Sequence, residues 1–283
     1  LIAGPAIFTW PVLIAQLVIF GTAAFALMFA PLVPGDYAGD PIMLWRGLAI
    51  LNLVMSPMVF MEMASGMAQA SWMEVLPLVP QILRETFAGR IWTWRFLVVV
   101  MLAIIVWIPA RATLVALGAL TLSAILLTLG SFTSHAIDKG LPMVAVYTLH
   151  QAGAGLWLGA LVSLLMSARR GPAVLEAFAP RVSTVSAWSV GIMALSGPLI
   201  ALRWLGWNPH LLVDSSYGRT LMVKIVIAAP VLLIGGYNRY WQMPAVAKSS
   251  VRSMLIRAVA AECVLLVAVL AWSAILANTP PPH

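Results

Sequence analysis

The sequence predicts an all-α, polytopic membrane protein, a bundle of about eight transmembrane helices, on three observations. Of 283 residues, 62% are hydrophobic and only 9% are charged, with a mean hydropathy of +1.00. A soluble domain carries roughly a quarter of its residues charged, so here lipid must solvate much of the outside. Apolar runs of roughly 20 residues, the length that crosses the hydrocarbon, recur along the chain. The third observation concerns the basic residues behind the net charge of +7. They gather in short clusters between the apolar runs, the pattern that sets membrane orientation rather than nucleic-acid binding.

The predicted spans lie near 6–30, 44–70, 94–110, 112–131, 142–167, 184–206, 219–241 and 254–277. Only Pro109 to Arg111 separate the third from the fourth, which requires a tight hairpin. Ser71 to Thr93 mixes Trp72, Trp92 and proline with a few charges and reads as an interfacial segment, because tryptophan favours the headgroup level. No linker is long enough to mark a soluble domain. The single cysteine, Cys263, excludes an internal disulfide and a cysteine-rich metal knuckle.

With the N-terminus outside, the inner loops hold Arg46, Arg111, Arg169, Arg170, Arg181, Arg239, Lys248, Arg252 and Arg257. The outer ones hold Arg84, Arg90, Arg95, Lys139, Arg203 and Arg219. The clear basic clusters, 168–182 and 239–257, are expected on the cytoplasmic side, and both termini on the periplasmic side. The first basic residue is Arg46, so no charged signal-peptide region is visible. The chain begins at Leu1 rather than Met, which leaves room for residues upstream. An internal echo, Gly89-Arg90 through Arg95 at the third span and Gly218-Arg219 through Lys224 at the seventh, points to two parallel four-helix halves, 1–131 and 132–283.

Polar chemistry is scarce. The four histidines are His135, His150, His210 and His283, and His150 is the one within a span. At ~100° per residue, Met143, Tyr147, His150, Ala154 and Trp157 share an arc of roughly 80°. Gly155 and Gly159 form a Gly-x-x-x-Gly on another face, suited to close helix packing. His135 follows the fourth span. Two imidazoles and a thioether suit copper, Cu(I) above all, so His135, His150 and Met143 are the expected metal ligands on the outer side. Ordinary aromatic and methionine packing would explain the same face.

In the second span, Met55, Met58 and Glu62 share one face and are expected to point into the bundle as an inward relay for the ion. Gap-filling methionine is the alternative. Glu262 is expected to pair with a polar residue of another helix, and Lys224 to sit near the outer end of its span. None of the motifs for nucleophilic, zinc-hydrolytic or phosphate-loop chemistry is present, so no enzyme is expected.

Leu149-His150-Gln151 through Trp157-Leu158-Gly159 resembles the His…Trp-x-Gly helix of the copper-resistance D (CopD) family. Tyr217-Gly218-Arg219-Thr220-Leu221 through Lys224, and Asn238-Arg239, resemble its Tyr-Gly-x-x-Leu-x-x-Lys and Asn-Arg elements. Glu262 and Thr279-Pro280-Pro281 resemble its last helix. The similarity covers about residues 130–281 well and the first half loosely, and Ser134 stands where the family has glycine before the histidine. The resemblance implies copper transport or copper handling at the bacterial inner membrane. Its partners would be the lipid bilayer and a periplasmic copper-binding protein or a larger membrane complex. Two other functions stay open: a haem-binding redox protein with His135 and His150 as axial ligands, and a non-transporting subunit of a larger complex.

Overall fold

A computed structural model describes residues 3–29, 39, 41–280 and 282. It is 89% helix, and no strand occurs among the described residues. Eight helices are long and apolar enough to cross a membrane. In order they are Ala3–Phe29, Ile42–Ala68, Phe87–Ile105, Ala112–Phe132, Leu141–Ala168, Pro172–Leu205, Ser216–Tyr237 and Ser249–Ala277. They are called the first to eighth spans below. His283 and Pro281 lie outside the described residues.

All eight expected spans are present, and the differences lie at their ends. The third begins at Phe87 rather than near 94, because Thr86 caps it by accepting from the Gly89 amide at 2.9 Å. The sixth begins at Pro172 rather than near 184. Gly171 turns the chain at φ +110°, a conformation that glycine adopts freely, and Pro172 opens the helix. Charges at Glu176 and Arg181 ended the apolar run, but helix continues through them. At 34 residues it is about 51 Å long, well beyond the ~30 Å hydrocarbon core.

Ser71 to Thr86 folds as short helical turns rather than an open loop. The Ser71 amide and hydroxyl both donate to the Glu74 carboxylate, at 2.8 and 2.7 Å, and hold its pKa below the ordinary value. Trp92, expected at the headgroups, is instead buried within the third span against Phe60 and Phe96.

The first span is the axis of the bundle, with 67% of its most apolar window buried. Its Leu17, Val18 and Phe25 belong to the core formed mainly by the fifth, sixth and eighth spans. Ile19 and Ala23 belong to the core formed by the second, third and fourth. Close approach to the fifth span depends on three glycines. A Cβ on Gly21 would overlap the Gly155 carbonyl, and one on Gly159 would overlap the Gly21 backbone. The Gly-x-x-x-Gly face therefore packs as expected. Polar bonds support the opposite side: Trp45 Nε1 donates to Thr22 Oγ1 at 2.8 Å, and Gln16 Nε2 to Asn52 Oδ1 at 3.3 Å.

The sequence echo is also a structural one. Before the third span, the short helix Val79–Glu85 leads to Thr86 at φ −94°, ψ 150°. Before the seventh, Leu211–Asp214 leads to Ser215 at φ −89°, ψ 149°. Thr86 accepts from the Gly89 amide and Ser215 from the Gly218 amide, each at 2.9 Å. Each glycine presses on a carbonyl of its short helix, Ile82 or Leu211, where a Cβ would collide. Arg95 and Lys224 then occupy matching positions six residues further on.

The two basic clusters share one end of the bundle. Arg252 pairs with Glu176 at 3.6 Å, and Arg239 donates to the Ser183 hydroxyl at 2.8 Å.

Candidate metal site and polar seam

The stripe of the fifth span that carries Tyr147, His150 and Trp157 forms a seam of polar contacts with the last three spans. Tyr147 accepts from Trp204 Nε1 of the sixth span at 3.0 Å and is hydrogen-bonded to the Tyr217 hydroxyl of the seventh. His150 Nδ1 meets Ser196 Oγ of the sixth at 2.9 Å. Trp157 Nε1 donates to Glu262 Oε1 of the eighth at 2.9 Å, and Asn238 Nδ2 donates to Glu262 Oε2 at 2.8 Å. Glu262 is therefore paired with polar side chains of other helices, as expected.

The Ser196 hydroxyl lies 2.7 Å from the Ile192 carbonyl as well as against His150 Nδ1. With its one proton given to Ile192 it accepts from His150, the tautomer that carries the ring proton on Nδ1 and leaves the Nε2 lone pair to ligate. Among the described residues nothing bonds Nε2. Gly197 lies close to the ring, where a Cβ would sit 3.5 Å from Cε1, and Lys224 is within electrostatic reach.

His135 lies in the turn His135–Lys139 after the fourth span. Its side chain is 48% exposed, 3.5 Å from Asp138 and edge-on to the Trp204 ring at 6.1 Å. Lys139 covers the same ring at 4.7 Å. The two histidines are thus linked through intermediaries, His135 to Trp204, Trp204 to Tyr147, and Tyr147 one turn from His150. Met143 is half-buried at the start of the fifth span, seven residues before His150, about 10 Å along the axis. Among the described residues there is no group of three or more His, Cys, Asp or Glu able to hold a metal. A metal centre here depends on thioether and imidazole instead. His210 lies in an exposed turn.

Met55, Met58 and Glu62 are half-buried, but they do not point into the bundle. The buried stripe of the second span is Trp45, Ala49, Asn52, Ser56, Phe60 and Ala64, roughly 110° or more away by helical geometry. Asn52 and Ser56 take the inner face because they hydrogen-bond with each other and with Gln16. Met61 and Met63 pack against the buried cluster of Phe60 and Trp92, and the Met63 sulfur accepts from Trp92 Nε1 at 3.2 Å. Glu62 has no ion pair or hydrogen bond among the described residues.

A cavity of about 880 Å³ lies among the first, fourth, fifth and sixth spans. Its lining is apolar apart from Thr121 and Thr128, and it includes no seam residue that bonds His150 or Glu262.

Two family models match this chain, "Copper resistance protein D" over residues 176–276 and "Copper resistance protein D-like, N-terminal domain" over residues 6–142. The chain belongs to the copper resistance protein D family. Copper resistance protein D of Pseudomonas syringae pv. tomato is 25% identical over 259 residues, covering 86% of this chain and 83% of that protein. Inner membrane protein YebZ of Escherichia coli K12 is 24% identical over 253 residues, covering 84% of this chain and 85% of that protein. No solved structure matches significantly. The first half, which the motifs matched only loosely, thus carries a family domain of its own.

Sequence reasoning missed Ser196, Trp204 and Met63 as partners. Helical periodicity marks which residues share a face but not which helix lies opposite. Tyr217 and Asn238 were visible only as family motif positions, and their contacts now explain both.

Proposed function

We propose that this protein handles copper at the bacterial inner membrane, binding it from the periplasmic side at a site that includes His150, His135 and Met143. The observation that carries this reading is the contact of His150 Nδ1 with Ser196, which leaves Nε2 without a bond among the described residues. A second-sphere hydrogen bond that holds one ring nitrogen and frees the other is how proteins prepare a histidine ligand. The absence of a carboxylate or thiolate among the proposed ligands favours Cu(I), which suits thioether and imidazole donors. Co-ligation by His135 and Met143 requires the exposed turn His135–Lys139 to fold down over the start of the fifth span. The His135 side chain touches an exposed carboxylate and a ring edge, while Ala136 of the same turn is buried.

Placing the basic clusters 168–182 and 239–257 in the cytoplasm puts the His135 turn on the periplasmic side, where copper would be delivered by a periplasmic protein or a membrane partner. The same reading gives Met55, Met58 and Glu62 a relay role along the flank of the second span, and treats residues 1–131 and 132–283 as parallel halves of one repeat. The matched Thr86–Gly89 and Ser215–Gly218 caps support the repeat.

The test is metal analysis of purified protein after loading with Cu(I). Wild type should retain copper, and His150→Ala should lose most of it while His210→Ala does not. Equal retention by the two variants would reject the site. A Soret band in the purified protein would favour haem ligation instead.

A further inference from the structure

The seventh span does not end as an ordinary helix. After Tyr237 the chain continues as a π-helical turn, Asn238–Gln242, and then a 3₁₀ turn, Met243–Ala245. Such turns inside or at the end of an α-helix redirect backbone carbonyls and recur at functional sites. Here the turn carries Asn238, which bonds Glu262 at the middle of the eighth span, and Gln242 four residues further on. Glu262, Asn238 and Gln242 are 1%, 1% and 4% exposed.

The bonding at this cluster does not close. The Glu262 carboxylate receives one hydrogen bond on each oxygen, from Trp157 and from Asn238, both neutral donors. It has no ion pair among the described residues. The cation nearest in sequence to Asn238, Arg239, is committed to Ser183. Asn238 Oδ1 and Gln242 Oε1 are fully buried and have no hydrogen-bond partner. The two residues are four apart, a spacing that sets side chains about 5–6 Å from each other on one face. Gly235 completes the surroundings, since a Cβ there would lie 3.0 Å from Glu262 Oε1. The Glu262 carboxyl group and Asn238 thus lie together, and a second orphaned oxygen, that of Gln242, is buried on the same turn.

Each of these features is costly alone. An unpaired buried carboxylate is among the most unfavourable groups in a protein interior, and each unsatisfied carbonyl adds a desolvation cost of its own. A proton on Glu262 would neutralise the charge but supplies a single donor for two orphaned acceptors. A small hard monovalent cation would balance the carboxylate and take the orphaned oxygens as ligands. Unwound helix ends with side-chain and carbonyl oxygens are how membrane transporters hold Na⁺ at the midplane. A divalent ion would leave an excess positive charge in the bilayer, and a set made only of oxygens is a poor host for a soft ion such as Cu(I).

We infer that Glu262, Asn238 and Gln242 form a binding site for a monovalent hard cation, Na⁺, separate from the copper site at His150. The site offers a coupling ion a place on the same seam, since Trp157 and His150 lie on one stripe of the fifth span. Its existence does not depend on the copper reading.

The experiment is equilibrium binding of ²²Na⁺ to the purified full chain in nanodiscs, at constant ionic strength set with choline chloride. Wild type should show saturable binding. Gln242→Met keeps the volume and removes the orphaned oxygen, and should weaken Na⁺ binding at least about tenfold while leaving copper retention unchanged. Glu262→Gln should abolish Na⁺ binding; should that variant misfold, the Gln242→Met result decides. Absence of saturable binding to wild type, or equal affinity in Gln242→Met, would overturn the site. Stability that responds to pH but not to Na⁺ would assign Glu262 a proton instead and equally overturn it. Loss of copper in His150→Ala with ²²Na⁺ binding intact would separate the two sites.

Discussion

His150 Nδ1 and Ser196 Oγ lie 2.9 Å apart across the interface of the fifth and sixth spans, and the same hydroxyl lies 2.7 Å from the Ile192 carbonyl. Removing the hydroxyl frees the ring to change tautomer and orientation. Ser196→Ala should therefore weaken copper retention roughly 10–100-fold, the usual cost of losing a second-sphere partner, with the fold intact. Ser196→Thr keeps the hydroxyl and should restore most of it. Competitive titration with a Cu(I) chelator measures both. Identical affinity in wild type and Ser196→Ala would mean that the bond is structural only.

Gly159 meets the backbone of Gly21 so closely that any side chain must push the first and fifth spans apart. Gly159→Ala should cost about 1–3 kcal/mol by overpacking, seen as a lower midpoint of thermal unfolding in detergent. Gly47→Ala, where a Cβ meets nothing within 4 Å, is the control and should be neutral or slightly stabilising. Equal midpoints for the two variants would show that the helices are further apart than described.

Trp157 and Asn238 are the donors that hold Glu262. Trp157→Phe leaves Glu262 Oε1 without its indole partner and should destabilise by about 1–3 kcal/mol, the cost of stranding a buried acceptor. In the Glu262→Gln background the same change should cost less, because a neutral amide is easier to leave unpaired. A double-mutant cycle on thermal or denaturant unfolding reads the difference, and an additive result would contradict a direct bond.

Reporter fusions at Gly171 and Lys248 should both behave as cytoplasmic. The Arg252–Glu176 pair already requires the two positions to share a side, so one cytoplasmic and one periplasmic signal would contradict the fold. Two periplasmic signals would instead invert the orientation.

Met55→Leu/Met58→Leu removes two thioethers with little change in volume. If the flank of the second span carries the ion, copper uptake into vesicles should fall while copper retention at His150 is kept. Normal uptake by the well-folded double variant would leave these residues as packing.

The fold was largely legible because lipid imposes a simple rule: backbone groups must bond within a helix, so each crossing needs its own apolar run. That rule located every span from composition. It failed at Glu176 and Arg181, where the sixth helix continues past the apolar run, since hydropathy reports solvent and not hydrogen bonding. The site was legible in part. His150 stood out as an imidazole in hydrocarbon, and its stripe with Tyr147 and Trp157 followed from periodicity. The inward face of the second span was misjudged because methionine and glutamate drew attention away from Asn52 and Ser56, modest polar residues that satisfy each other. Contacts such as Ser196 with His150 join residues 46 positions apart, and no local pattern encodes them.

The contact between Gly21 and Gly159 also sets a timetable for biogenesis. The two glycines are 159 − 21 = 138 residues apart in the chain. At a synthesis rate of ~5–20 residues per second the first span waits roughly 7 to 28 seconds for its principal neighbour. Over that interval its glycine face is open to lipid or to a chaperone. Its other face can engage sooner, because Trp45 and Asn52, which bond Thr22 and Gln16, are translated only some 23 to 36 residues later. The early hydrogen bonds to the second span thus fix the rotation of the first helix before the fifth arrives, and the late-made helix docks onto a groove that is already aimed.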